Sequence, residues 1–203
     1  MQSQNISGAA AMIATTVPQV TFDLRLPAED LGQENPFRWE PTDTAELFGG
    51  RRVVVFAAPG AIHPGCTGYQ LLDYDARYGE FLKAGIDELY CVSVNEAPLV
   101  FQWAYSLDIW NVLMLPDSDG AFTRGMGMLA RDRRGQPFAT TCSYAAVVDD
   151  RRIERLFVDK GPACTCPAEC CDAPDADTVL AWLRGEEAVR SRTAAWRHAF
   201  ARG

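Results

Sequence analysis

The sequence predicts an α/β protein in which a central mixed sheet is flanked by helices, and three observations carry that expectation. Residues 53–58 form an unbroken apolar, β-branched run of the kind buried on both faces of a sheet. A Pro/Gly-rich turn follows and leads directly into sequence with helical character. Beyond it, apolar runs alternate with segments of helical periodicity as far as residue 184.

Taken in order, the strand at 53–58 is followed by a helix over 66–84, which Gly85 ends at the position where a left-handed glycine belongs. The next strand spans 88–94. Pro98 suits the first turn of a helix running to Leu107, with Leu99, Trp103 and Leu107 on one apolar face. Phe122 and Met126 mark a short helix. Strands at 144–149 and 153–158 read as a hairpin around Asp149-Asp150-Arg151-Arg152, and a helix over 177–184 closes the domain.

Chemistry is concentrated at the first strand-to-helix turn, Pro59-Gly60-Ala61-Ile62-His63-Pro64-Gly65-Cys66-Thr67. A thiol at a helix start is favoured as thiolate by the unpaired amides and positive end of the helix, which makes Cys66 a candidate nucleophile. His63 precedes it by three residues. A neutral imidazole there takes the thiol proton, and an imidazolium holds the thiolate. The plainer readings are an inert, packed thiol and a histidine that only fills the turn.

The chain resembles the atypical peroxiredoxins of the fifth class, the group containing plant type II enzymes and bacterial hybrid peroxiredoxins. The resemblance begins near Pro36-Phe37-Arg38-Trp39 and runs through Pro59-Gly60-Ala61 and Leu89-Tyr90-Cys91-Val92-Ser93-Val94-Asn95. It continues in Leu115-Pro116-Asp117, Gly120-Ala121-Phe122-Thr123 and Tyr144-Ala145-Ala146-Val147-Val148, and ends near Val179-Leu180. It implies a thioredoxin-like fold of peroxiredoxin type, which the order of elements also matches. It further implies a thiol-dependent peroxidase that needs no cofactor, acts on hydroperoxides, and is regenerated by a thioredoxin, glutaredoxin or glutathione-type reductant. A homodimer is implied as well.

Three departures fall on the family's working residues. Its Pro-x-x-x-Thr-x-x-Cys signature keeps Pro59 and Cys66 but has His63 at the threonine position. The arginine expected before the strand that starts at Tyr144 is Ser143. The histidine and proline expected in the turns after the cysteine are Gln70 and Leu72. Hydrogen bonds to a charged group contribute about 1.5–3 kcal/mol, so each lost donor to the peroxide or thiolate slows reaction by roughly tenfold to a few hundredfold.

A second cluster, Cys164-Thr165-Cys166-Pro167-Ala168-Glu169-Cys170-Cys171, places four thiols in eight residues. One reading makes Cys164, Cys166, Cys170 or Cys171 the resolving or relay thiol for an oxidised Cys66, and the resemblance aligns Cys166 near the family's resolving position. Another makes the four thiols a soft-metal site, although paired Cys-x-x-Cys knuckles and a neighbouring histidine are absent from the segment. Cys91, inside a strand, reads as core; Cys142 should face away from Ser143.

The remaining composition bounds the setting. At 203 residues, with 48% hydrophobic residues, the chain fits one domain at 17–185, preceded by a flexible leader at 1–16 and followed by a helical extension or solvated tail at 186–203. A net charge of −8 argues against nucleic acid, and no apolar run has the length of a bilayer span. The leader has no basic residue before its apolar stretch, unlike a secretory signal, so a cytoplasmic location is expected. Phe37, Trp39, Phe101, Trp103, Tyr105 and Trp110 are candidates for a pocket or a subunit contact. Beside the peroxidase reading stand a non-redox Cys66–His63 enzyme and a binding protein for a soft metal or a redox partner.

Overall fold

The computed structural model describes residues 14–28, 37–57, 67–131, 137–158 and 174–186. A five-stranded mixed sheet runs in the order β5-β4-β3-β8-β9. Its strands are β3 (Arg52–Ala57), β4 (Glu88–Ser93), β5 (Leu113–Pro116), β8 (Tyr144–Asp149) and β9 (Arg152–Val158). β3, β4 and β5 are parallel to one another, whereas β8 pairs antiparallel with both β3 and β9. Two ribbons accompany it: β1 (Thr21–Pro27) with β2 (Phe37–Asp43), and β6 (Leu129–Arg131) with β7 (Pro137–Thr141). The expected sheet with flanking helices is therefore present, with residues 53–57 of the apolar run at its centre.

Alternation along β3 creates two cores. Val53, Val55 and Ala57 pack with Phe22, Phe48, Tyr90, Phe122 and Tyr144 on one face. Val54 and Phe56 pack with Leu71, Tyr74, Phe81, Val100 and Val179 on the other. All five β3 side chains from Val53 to Ala57 are wholly buried, which is why the run reads as continuously apolar. Cys91 is a buried thiol of the second core, as expected, and Cys142 belongs to the first.

The helices are α1 (Thr44–Phe48), α2 (Thr67–Ala76), α3 (Tyr78–Lys83), α4 (Ala97–Ser106), α5 (Ala121–Gly125) and α6 (Ala176–Leu183). The single helix expected over 66–84 is two, broken at Arg77, whose amide donates to the Tyr74 carbonyl at 3.3 Å in a three-residue turn. Gly85 does end the second of them at φ 82°. On α4 the buried stripe is Ala97, Val100 and Ala104 rather than Leu99, Trp103 and Leu107. Small side chains let that helix approach the sheet closely, and Trp103 and Leu107 flank the contact half-buried. The hairpin is as expected: Asp150 and Arg151 both adopt left-handed backbone, which suits a tight turn between twisted strands.

Residues upstream of β1 are held in the structure. The Ile153 amide donates to the Thr15 carbonyl, Thr16 bridges Arg152, and the Val17 amide donates to the Arg151 carbonyl. At Gly125 a Cβ would lie 2.6 Å from Pro18, so this stretch crosses α5 in direct contact. Residues 1–13 and 187–203, which contain most of the expected leader and nearly all of the tail, lie outside the described residues. Among the described residues no helix is long and apolar enough to cross a membrane.

Phe48 is fully buried and joins Tyr90 edge-on and Phe122 in a stack at ring distances of 5.2 and 6.1 Å. Phe48→Ala is expected to cost about 3–5 kcal/mol, read as a lower urea midpoint, whereas Trp110→Ala, at a residue 79% exposed, leaves the midpoint nearly unchanged.

Candidate active site

The site is framed by the sheet edge at which β3, β4 and β5 end and β8 begins. Ala57 pairs with both Val92 and Tyr144, and Ser93 pairs with Pro116, so the four strand ends lie side by side. Here β3 has a parallel neighbour on one side and an antiparallel one on the other, and connections leaving the carboxyl ends of parallel strands diverge to leave a crevice. The segment 58–66 joins Ala57 to Thr67, the first residue of α2. Pro59, His63 and Cys66 belong to that segment and lie outside the described residues, as do Cys164, Cys166, Cys170 and Cys171.

Ser143 is described, and it stands at this edge. It lies one residue before the Ala57–Tyr144 pair and is 3% exposed. Its neighbours alternate: Cys142 and Tyr144 pack in the first core, Ala145 and Val147 in the second, on the side of α2 and α6. The same alternation gives Ser143 the α2 side of the sheet, opposite Cys142. Its hydroxyl is buried with no hydrogen-bond partner among the described residues. Among the described residues no guanidinium hydrogen-bonds this hydroxyl. Arg38 pairs with Glu40 at 3.1 Å, and Arg124 donates to the Asp119 carbonyl at 3.2 Å.

Buried polar groups that the sequence reading did not single out gather along the same edge. Asp117, 3% exposed, accepts from the amides of Phe122 at 3.0 Å and Thr123 at 2.8 Å, and its own amide donates to the Ser93 carbonyl. It thereby caps the first turn of α5 and ties it to the ends of β4 and β5. The Thr141 hydroxyl donates to the Cys142 carbonyl at 2.9 Å. The Tyr144 phenol is fully buried without a partner among the described residues, and burial, followed by the nearby Asp117 carboxylate, pushes its ionisation far above the ordinary tyrosine range. The clue to Asp117 was its spacing: an Asp three residues before Gly120, whose φ of 68° makes the turn.

On the other side, α2 is fastened to the start of α6. Gln70 Nε2 at 3.3 Å and Tyr74 OH at 3.0 Å both donate to the Pro174 carbonyl. Asp73 Oδ2 accepts from the Ala176 amide at 3.2 Å, and Arg77 bridges Asp73 and Asp177. Burial raises the Asp73 carboxyl above its usual range even against the opposing Arg77. Its folded value therefore exceeds its unfolded one, and the folded state gains stability as pH falls through that raised value toward the ordinary range. Asp73→Asn is expected to remove this gain, so that on the acid side of neutrality its stability falls more with acidification than that of the wild type, measured by thermal unfolding.

The aromatic candidates separate. Phe37, Trp39 and Phe101 line a cleft of about 290 Å³ with Arg25, Pro98 and Gln102. Trp103 is half-buried, whereas Tyr105 and Trp110 are exposed. Among the described residues no group of three or more His, Cys, Asp or Glu side chains is arranged to hold a metal.

Ser143→Ala removes a buried hydroxyl that has no partner among the described residues, and an unsatisfied group of this kind costs about 1–3 kcal/mol. The variant is expected to melt at or above the wild-type temperature in differential scanning calorimetry.

A family model described as Redoxin matches residues 30–180. A peroxiredoxin of Synechocystis is 38% identical over 177 residues, covering 87% of this chain and 94% of its own length. The hybrid peroxiredoxin hyPrx5 of Haemophilus influenzae is 30% identical over 181 residues, 89% of this chain and 70% of that protein. Among solved structures, reduced Prx3 of Vibrio vulnificus in complex with hydrogen peroxide superimposes with a TM-score of 0.63 at 29% identity, covering 85% of this chain and 99% of that one.

Proposed function

This chain belongs to the peroxiredoxins of the Redoxin family and is a thiol oxidoreductase of that family; on that premise we propose that it reduces hydroperoxides through Cys66, in the manner of the fifth class. The observation that carries this reading is the frame around 58–66: a fully buried central strand ends at Ala57, a helix opens at Thr67, and Ser143 stands beside the strand's end. The hybrid relative from Haemophilus influenzae supports the class, and the Vibrio vulnificus structure, with hydrogen peroxide bound, supports the substrate.

In the first step the Cys66 thiolate attacks the terminal peroxide oxygen. A sulfur–oxygen bond forms, the oxygen–oxygen bond breaks, and the leaving oxygen takes a proton to depart as water or an alcohol. His63, as base or as imidazolium, favours the thiolate, and backbone amides after Pro59 stabilise the anion. Cys164, Cys166, Cys170 or Cys171 then displaces hydroxide from the sulfenic acid to form a disulfide, which a thioredoxin, glutaredoxin or glutathione-type donor reopens. A cytoplasmic homodimer is the setting that this reading assigns.

Ser143 gives the reading its particular character. A buried hydroxyl replaces a cation, so transition-state charge is stabilised by fewer donors, and turnover slower than that of an arginine-bearing relative is the consequence.

Stopped-flow mixing with hydrogen peroxide and with an alkyl hydroperoxide, followed by mass analysis of trapped sulfenate, tests this. Cys66 is expected to oxidise faster than free cysteine, and Cys66→Ser to abolish the reaction. Oxidation no faster than that of free cysteine would remove peroxide as the substrate. His63→Ala is expected to raise the alkylation pKa of Cys66, and an unchanged profile would dissolve the pair.

A further inference from the structure

We propose that the cleft between the β1–β2 ribbon and α4 is a binding site for a small aromatic carboxylate, whose acid group pairs with Arg25 and whose ring lies among Phe37, Trp39 and Phe101. The site is built wholly from described residues and does not depend on which thiol reacts.

Strand register brings the recognition groups together. Arg25 stands opposite Trp39 and Pro27 opposite Phe37, so Arg25, Trp39 and Phe37 share one side of the ribbon. Phe22 and Leu24 take the other side and enter the first core. The face bearing Arg25 is therefore not committed to holding the ribbon on the sheet. Pro98, Phe101 and Gln102 of α4 form the opposite wall of a cleft of about 290 Å³, and Phe101 meets Trp39 edge-on at 5.3 Å.

Two features distinguish this cleft from ordinary packing. Trp39 remains 49% exposed although it lines a wall with two other aromatic rings, so apolar surface is left for a further flat group to cover. Arg25 is half-buried and has no carboxylate partner among the described residues, whereas Arg38, Arg52, Arg77 and Arg184 each pair with one. Its guanidinium carbon lies 4.2 Å from the centre of the Phe37 ring. That stack occupies a face of the guanidinium and fixes its orientation, while the N–H groups lie in its plane and stay available as donors. A carboxylate accepts two such N–H groups side by side.

Size and chemistry narrow the ligand. A volume near 290 Å³ is at the low end for small-molecule sites, so the cleft suits one ring or two fused rings rather than a dinucleotide. An aliphatic acid would pair with Arg25 but leave the ring faces uncovered. A neutral aromatic would stack and leave the cation unpaired. Both halves of the ligand are thus required, and the exposed Gln102 amide supplies a further polar group at the rim.

Isothermal titration of the full chain with naphthoate, with naphthamide and hexanoate as matched probes, tests the assignment. Naphthoate is expected to bind with a Kd of about 1 mM or tighter, the affinity that modest ligand efficiency gives a compact molecule. Naphthamide, which lacks the charge, and hexanoate, which lacks the ring, are each expected to bind at least about tenfold more weakly. Arg25→Gln and Trp39→Ala are each expected to weaken naphthoate by about tenfold, and Arg25→Lys, which keeps the charge without the planar fork, to fall between. Trp110→Ala, outside the cleft, leaves binding unchanged. Arg25 belongs to neither core, so Arg25→Gln decides the matter if Trp39→Ala does not fold. Equal binding of naphthoate and naphthamide, wild-type affinity in Arg25→Gln, or no binding at about 10 mM naphthoate overturns the proposal and leaves the peroxidase reading untouched.

Discussion

Burial of β3 on both faces is the constraint on which the rest of the fold depends. Five consecutive side chains of that strand are shut away from water, three toward one core and two toward the other. Such a strand cannot lie at an edge, because its ladder groups would be unpaired in an apolar setting. It therefore requires β4 and β8 as neighbours and a helical layer on each side. The position of the candidate site follows from that requirement: where β3 stops, the chain leaves the middle of the sheet between a parallel and an antiparallel neighbour.

The two cores differ in what they join. The first locks the β1–β2 ribbon, α1 and α5 onto the sheet through Phe22, Phe48 and Phe122, a largely aromatic contact. The second stacks Phe56, Tyr74 and Phe81 at ring distances of 4.0 and 5.5 Å, which carries the helix bearing Gln70 directly on the central strand. Displacement of α2 would thus disturb the sheet itself, and the polar contacts between α2 and Pro174 rest on this rigid base. The charge balance at that contact is uneven, because burial opposes ionisation of Asp73 more strongly than Arg77 favours it.

Much of this architecture was legible because the central strands are apolar on both faces and the helix ends carry glycine. The hairpin at Asp150-Arg151 and the strands at 88–93 and 144–149 announced themselves in this way. β1, β2 and the β6–β7 ribbon did not: their residues mix apolar with Pro, Arg, Asp and Thr, and in β1 buried positions alternate with exposed ones. The break at Arg77 was hidden because nothing in Asp75-Ala76-Arg77-Tyr78 is a helix breaker, and the turn becomes visible only with the ion pairs around it. At the site, the candidate nucleophile Cys66 and its neighbour His63 stand out within one segment, whereas the departure at Ser143 lies far along the chain. Asp117, Tyr144 and the Gln70–Tyr74 contact depend on residues 5 to 104 positions apart, which no local pattern reports.

The stretch before β1 has a consequence for synthesis on the ribosome. Residues 15–18 emerge well ahead of what they bind, α5 at Gly125 and the 151–153 corner, which is translated more than a hundred positions later. Until then Val17 and Phe22 have no core to enter, and the nascent chain carries them in the open. Completion of the hairpin is what lets residues 15–18 dock, so β9 and the stretch before β1 take their places together.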